Sequence, residues 1–190
     1  VHGRLATGDA VSPAKMLGVA FTMVTGGNDT AMGLVGGALE LLTERPDQRA
    51  RLLERPDRIP VAVEEFLRLT SPVQNLARTT TREVEIEGRT IPAGRKVLLL
   101  YGSANRDERE FGPDAGACDV ERRIRRHLAF GYGPHHCIGA AAARLQARVA
   151  LEEILARCPR FAVDGRAGRF APGPYVRRRE RLPFVAEAAA

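Results

Sequence analysis

The chain has 190 residues, 44% of them hydrophobic, 27% charged and 5% aromatic, with 29 Lys plus Arg against 23 Asp plus Glu and a net charge of +6. That bounds it at one domain or a piece of a larger one, with enough apolar content for a core, so wholesale disorder is excluded. It holds no apolar run near the roughly 20 residues of a membrane span, no signal peptide at Val1–Ala10, and too few cysteines (Cys118, Cys137, Cys158) for a disulfide framework.

A reducing cytoplasm is therefore the expected setting, with no membrane partner. Because the sequence starts at Val1 rather than Met, a truncated chain is expected. Lys15 and Lys96 are the only lysines, so the basic charge is arginine, gathered at Arg122, Arg123, Arg125 and Arg126 and again at Arg177, Arg178, Arg179 and Arg181. Basic surface steers association with acidic partners. No aromatic residues interleave with the first cluster and no reading helix is evident, so nucleic acid is not an expected partner.

In chain order, residues 12–44 read as one long helix. Ser12 can cap it, Pro13 suits its first turn, and Leu17, Phe21, Val24, Ala31, Leu34, Val35, Ala38 and Leu41 recur at helical spacing. At 1.5 Å per residue it is about 45–50 Å long, enough to cross a domain, and it is expected to be central. Two shorter helices enter through prolines, one over Pro46–Glu54 and one over residues 60–69 that Pro72 closes. Residues 73–101 form a small β region, with strands at Val84–Ile86 and Lys96–Tyr101 and turns at Gly88 and Pro92–Gly94. Residues 107–126 are charged and aperiodic, a long loop inside a 107–139 segment. A further helix covers residues 138–157, and residues 160–190 hold short strands at Phe161–Val163 and Leu182–Val185. The expected fold is mainly α with a small antiparallel β component.

Three constellations carry chemistry. The first is Phe130-Gly131-Tyr132-Gly133-Pro134-His135-His136-Cys137-Ile138-Gly139. Its glycines and proline make a tight loop that lets backbone approach a ligand closely. Cys137 is expected where a helix begins, and a helix N-terminus favours the thiolate, a nucleophile or metal ligand. His135 and His136 suggest zinc, but adjacent ligands converge poorly on a tetrahedral ion and no second Cys or His pair follows at zinc spacing. A buried structural cysteine is the plain alternative. The second constellation, Gly26-Gly27-Asn28-Asp29-Thr30, sets an acid–hydroxyl pair inside an apolar stripe where Gly33, Gly36 and Gly37 also fall. Helix packing explains small residues, but not that pair. The third is Glu65 and Arg68, three apart on one helix face, which as a surface ion pair would contribute well under about 1 kcal/mol.

The first loop resembles the haem-binding signature of the cytochrome P-450 family, and the Gly26–Thr30 stretch resembles that family's oxygen-binding helix motif, G-G-x-D-T. Glu65 and Arg68 match its E-x-x-R, between the two in the family's order. The resemblance implies the C-terminal half of that fold. It implies haem b (iron protoporphyrin IX) with Cys137 as axial thiolate, Phe130 beside the sulfur, Gly133 and Gly139 against the porphyrin, and His135 donating to a propionate. Arg78 would pair with another propionate. In the family the oxygen-binding helix bulges over the haem; Thr30 would bond dioxygen or its water, and Asp29 would relay protons.

The resemblance further implies that Glu65 and Arg68 join an Arg of the preceding loop, Arg122 by best fit with Arg123 beside it, to lock the loop that presents Cys137. Val73–Ala77 and Pro174–Val176 would line a substrate pocket. Two departures stand out: Cys118 where many relatives have Phe, and Arg178 in place of a glycine at the C-terminal turn. The implied reaction is monooxygenation of an organic small molecule, with electrons from a ferredoxin or flavoprotein attracted by Arg123, Arg125 and Arg126. A peroxide-using or rearranging haem enzyme is one alternative, and a truncated, non-catalytic fragment or a haem-binding module lacking the N-terminal half is the other.

Overall fold

A computed structural model describes residues 10–187, so the Ala188–Ala190 tail and the first nine residues lie outside it. The long helix forms as expected: α1 is Pro13–Glu44, uninterrupted, with proline in its first turn and the Ser12 hydroxyl accepting from the Lys15 N–H at 3.4 Å. Proline also opens α2 (Pro46–Glu54), a 3₁₀ turn at Pro56–Arg58 and, at its second position, α3 (Ile59–Thr70). Ser71 stops α3 in a left-handed conformation, φ 38°. The β region follows as β1 (Leu76–Thr79), β2 (Val84–Ile86), β3 (Arg89–Ile91) and β4 (Lys96–Leu99).

Tyr101 does not extend β4; it begins a one-turn helix, α4 (Tyr101–Ala104), and is buried. The charged loop carries another such turn, α5 (Glu108–Phe111), with the Asp107 carboxylate accepting from Arg109 N–H at 2.9 Å. After a 3₁₀ turn at Gly133–His135 comes α6 (Ala140–Arg157). The C-terminal strands are β5 (Arg160–Val163), β6 (Arg169–Phe170), β7 (Arg179–Arg181) and β8 (Phe184–Glu187). All strands pair antiparallel in two-stranded sheets, β1 with β4, β2 with β3, β5 with β8 and β6 with β7.

The core lies where α1, α3 and α6 meet. Leu34, Ala38 and Leu42 of α1 face Ala62, Val63, Phe66 and Leu67 of α3, Ala147, Leu151 and Leu155 of α6, and Phe161 and Val163 of β5. Only the C-terminal half of α1 is therefore central. Leu17, Phe21 and Val24, one apolar stripe at helical spacing, are 71%, 67% and 64% exposed, an apolar face of the kind that marks an interaction surface.

The helix glycines divide the same way. A Cβ at Gly33 would lie 2.6 Å from the Arg177 carbonyl, and one at Gly37 2.5 Å from the Thr70 methyl, so these two let the C-terminal hairpin and α3 close on α1. At Gly18, Gly26 and Gly27 a Cβ would meet nothing within 4 Å. Gly33→Ala should therefore destabilise the fold by about 1–3 kcal/mol through forced backbone displacement, whereas Gly18→Ala should stabilise by up to about 1 kcal/mol through helix propensity. Urea denaturation of the two variants checks both signs.

Candidate functional site

α3 places Glu65 and Arg68 on one face, and that face is wholly buried: both side chains have no exposed surface. Burying a charge without partners costs several kcal/mol, and here every partner is present. Arg68 Nε donates to Glu65 Oε2 at 2.7 Å and Nη2 to Glu65 Oε1 at 2.8 Å. The remaining donors go to the carbonyls of Asn105 (2.8 Å), Ala115 (2.6 Å) and Ala117 (3.3 Å). A guanidinium has five N–H groups, and all five are used. Glu65 Oε1 also accepts from the Asp119 N–H at 3.1 Å and from Arg122 Nε at 3.3 Å. Arg122, not Arg123, thus reaches the pair, and its own Nη groups close on Asp114 and the Phe111 carbonyl. The pair is thus no surface ion pair but the buried hub of the 107–126 loop.

Two polar residues tie that hub to the cysteine loop. Asn105, buried, donates to Ser71 Oγ at 2.8 Å and accepts from the Leu128 N–H at 2.7 Å. The loop then closes on itself: the Cys137 N–H donates to the Phe130 carbonyl at 2.9 Å, Gly131 N–H to Leu128 and His136 N–H to Gly133. Gly131 and Gly133 each sit at φ +70°, a conformation that L side chains rarely adopt. Cys137 does not begin the helix as expected. Gly139 precedes the first residue of α6, and the Cys137 carbonyl receives the Ala140 N–H at 3.3 Å.

The Cys137 thiol is exposed and makes no side-chain hydrogen bond within the described residues. A Cβ at Gly139 would stand 3.8 Å from its sulfur, and one at Gly133 would enter open space, so the glycines keep the face around the sulfur clear. Cys118 differs. It is buried, and burial, with the Glu65 charge, pushes its thiol up to about 12, which leaves it protonated and inert. His135 is exposed. Arg78, on β1, uses only Nη1, toward the Ala77 carbonyl at 2.9 Å. Among the described residues the Cys137 thiol, the Arg78 guanidinium and the His135 imidazole are not committed to protein carboxylates, a donor set whose chemistry fits an iron-bearing group with anionic arms.

On α1, Thr30 Oγ1 donates to the Gly26 carbonyl at 2.8 Å. The helix is continuous there, without the expected bulge. Asp29 Oδ1 forms an ion pair with Arg178 Nε at 3.0 Å, a pair with no sequence signal beyond the unusual arginine. Pro72–Asn75 meets the C-terminal loop. Val73 bridges Val176, the Gln74 N–H donates to the Tyr175 carbonyl at 2.7 Å, and Asn75 Nδ2 donates to that of Pro174 at 3.0 Å. A second charged group escaped sequence reasoning altogether. Glu64, next to Glu65 on α3, accepts from Arg144 Nε at 2.6 Å and Nη2 at 2.9 Å, and lies 3.1 Å from His127 Nε2. Its only sequence signal is a doubled acid in an apolar helix.

Comparison with known proteins places these features in a family. The cytochrome P-450 family model matches residues 59–166. The chain is 61% identical over 179 residues to "Cytochrome P-450 130" of Mycobacterium tuberculosis, covering 94% of this chain and 44% of that protein. It is 37% identical over 180 residues to the cytochrome P-450 monooxygenase PikC of Streptomyces venezuelae, covering 93% of this chain and 43% of that one. The solved structure of CYP109Q5 from Chondromyces apiculatus superposes with a TM-score of 0.91 at 38% identity, covering 98% of this chain and 48% of that chain. The chain spans a little under half the length of the relatives it matches. No helix among the described residues is long and apolar enough to cross a membrane.

Two outcomes follow from this geometry. Arg68→Lys keeps the charge but offers three donors where five are used, so it should cost about 3–5 kcal/mol in chemical denaturation. Burial would push the Glu64 carboxyl up, but hydrogen bonds from His127 and Arg144 and the Arg144 charge outweigh it and hold it at about 2, against the usual 4.5. A depressed carboxyl adds stability that is fully present above pH 4.5 and lost as pH falls toward 2, on the order of 2 kcal/mol. Thermal melts between pH 5 and pH 2 should show that loss, and Glu64→Gln should flatten it.

Proposed function

The chain belongs to the cytochrome P-450 family, and from that premise we propose that it is the part of a haem-dependent monooxygenase that ligates the iron and carries the proton-handling residues. The observation that carries this reading is the Cys137 thiol: exposed, free of hydrogen bonds, and presented by a loop whose closure and glycine conformations are built for it. Haem b bound there supplies the activation of dioxygen, so that one oxygen atom is inserted into an organic small molecule and the other leaves as water.

The protein's own residues do the rest. Cys137 would hold the iron through its thiolate, an electron-rich ligand that would favour the activation of dioxygen. Phe130, whose carbonyl holds the Cys137 N–H, shields the sulfur side, and Gly133 and Gly139 admit the macrocycle. Arg78 and His135 take the propionates; a guanidinium suits a carboxylate because it can pair bidentately. Thr30 has spent its hydrogen on Gly26, which leaves its oxygen lone pairs free to receive a hydrogen bond from a water or a bound ligand. Asp29, half exposed, can pass a proton from solvent toward it. Glu65, Arg68 and Arg122 hold the loop from behind.

Val73–Ala77 with Pro174–Val176 form one wall of the substrate site, joined by the bridge between Val73 and Val176. The electron donor is a ferredoxin or flavoprotein. Arg123, Arg125 and Arg126 are exposed for it, although Arg126 is already engaged by Glu110 at 3.2 Å, which leaves Arg123 and Arg125 as the freer charges.

The test is optical. Reduced, carbon-monoxide-bound holoprotein should show the strongly red-shifted band of a thiolate-ligated haem, and Cys137→Ser should abolish it while far-UV circular dichroism stays unchanged. A wild-type spectrum without that band would sink the proposal.

A further inference from the structure

Glu64, His127 and Arg144 form a group that the site described above does not use, packed against Phe130, which that site does use. Glu64 projects from α3 one residue before the buried Glu65. Arg144 projects from the second turn of α6, and its guanidinium meets the Glu64 carboxylate through two parallel bonds, 2.6 and 2.9 Å. The same guanidinium stacks on the Phe130 ring, 4.7 Å from its centroid, a cation–π contact. Phe130 is the residue whose carbonyl receives the Cys137 N–H at 2.9 Å.

His127 closes the group from the other side. Its Nδ1 accepts from the Ala129 N–H at 3.2 Å, so its proton sits on Nε2, which donates to Glu64 at 3.1 Å. His127 thus shares the Glu64 carboxylate with Arg144. Its ring also lies 5.8 Å from that of Phe130. Arg144 and Cys137 are within electrostatic reach of one another.

We infer that Arg144, clamped by Glu64, is a positioning residue that fixes Phe130 and the thiolate loop and places a positive charge that sets how readily the Cys137-ligated iron accepts an electron. This rests on the haem–thiolate reading above. A fixed cation near an anionic ligand stabilises the reduced, more negative state, and outer-shell partners of metal ligands act in this way. Glu64 opposes the same charge, so the two residues pull the reduction potential in opposite directions. Arg144 is 40% exposed, so salt should screen part of its effect.

The experiment is spectroelectrochemical titration of the holoprotein and its Arg144→Gln, Arg144→Lys and Glu64→Gln variants at low and high salt, each checked by thermal melting. Arg144→Gln should lower the potential, Glu64→Gln should raise it, and Arg144→Lys, which keeps the charge, should stay near wild type; the shifts should shrink at high salt. Loosening of the loop alone would move Arg144→Gln and Glu64→Gln the same way. That outcome, or no shift in either, or an Arg144→Lys shift as large as that of Arg144→Gln, overturns the inference. Where Arg144→Gln fails to retain haem, the sign of the Glu64→Gln shift decides. A wild-type protein lacking the red-shifted carbon-monoxide band would instead defeat the haem–thiolate reading, and the two failures are told apart before any variant is made.

Discussion

The structure depends on one buried guanidinium. Arg68 has no exposed surface, yet all five of its N–H groups are bonded, two to Glu65 and three to carbonyls of Asn105, Ala115 and Ala117. Those carbonyls belong to a stretch with little regular structure, which cannot hold itself by ladder hydrogen bonds. Arg68 supplies the missing donors. Glu65 then returns the favour by accepting from Asp119 and Arg122, so the loop is held at both ends of its course. An isolated ion pair of this sort is weak evidence for stability. Its worth here lies in the 105–122 backbone, whose carbonyls of Asn105, Ala115 and Ala117 and N–H of Asp119 it bonds at once.

From that anchor the order passes to the cysteine. Asn105 carries it to Leu128, and the Phe130 carbonyl carries it to Cys137. The loop between turns on Gly131 and Gly133, where a left-handed backbone is required rather than merely allowed. The two reduced thiols of contrasting fate, Cys118 and Cys137, follow from this layout. One is sealed under the hub and kept protonated; the other is lifted onto the surface with glycine on both sides.

Much of this was legible beforehand because it is local. Prolines and the capping Ser12 mark α1, α2 and α3 to within a residue, and Val84–Ile86 is a strand as its alternation suggests. Where local signals compete they mislead. Tyr101 continues the apolar run of β4 but turns into α4, and α6 starts at Ala140 because Gly133-Pro134-His135 forms its own 3₁₀ turn first. What no spacing rule could supply is pairing across the chain. No spacing rule joins Glu64 to Arg144 or Asp29 to Arg178; only the fold makes them neighbours. The E-x-x-R spacing gave the contact between Glu65 and Arg68, but not their complete burial.

The glycines of α1 show how packing and chemistry can be separated within one helix. Gly33 and Gly37 are explained by what touches them, a backbone carbonyl and a threonine methyl. Gly33 also draws the Arg177–Arg178 backbone against the helix, and because Asp29 lies one turn earlier on the same side, Arg178 can reach its carboxylate. The C-terminal hairpin is thereby coupled to the acid of the G-G-x-D-T motif by the absence of a side chain at residue 33. Gly26 and Gly27 have no such reason. Each costs about 1 kcal/mol of helix propensity relative to alanine, and within the described residues nothing packs there. Gly18 is as open as they are, and Leu17, Phe21 and Val24 beside it are exposed, so packing among the described residues accounts for the glycines of the C-terminal half of α1 and not for those of its N-terminal half.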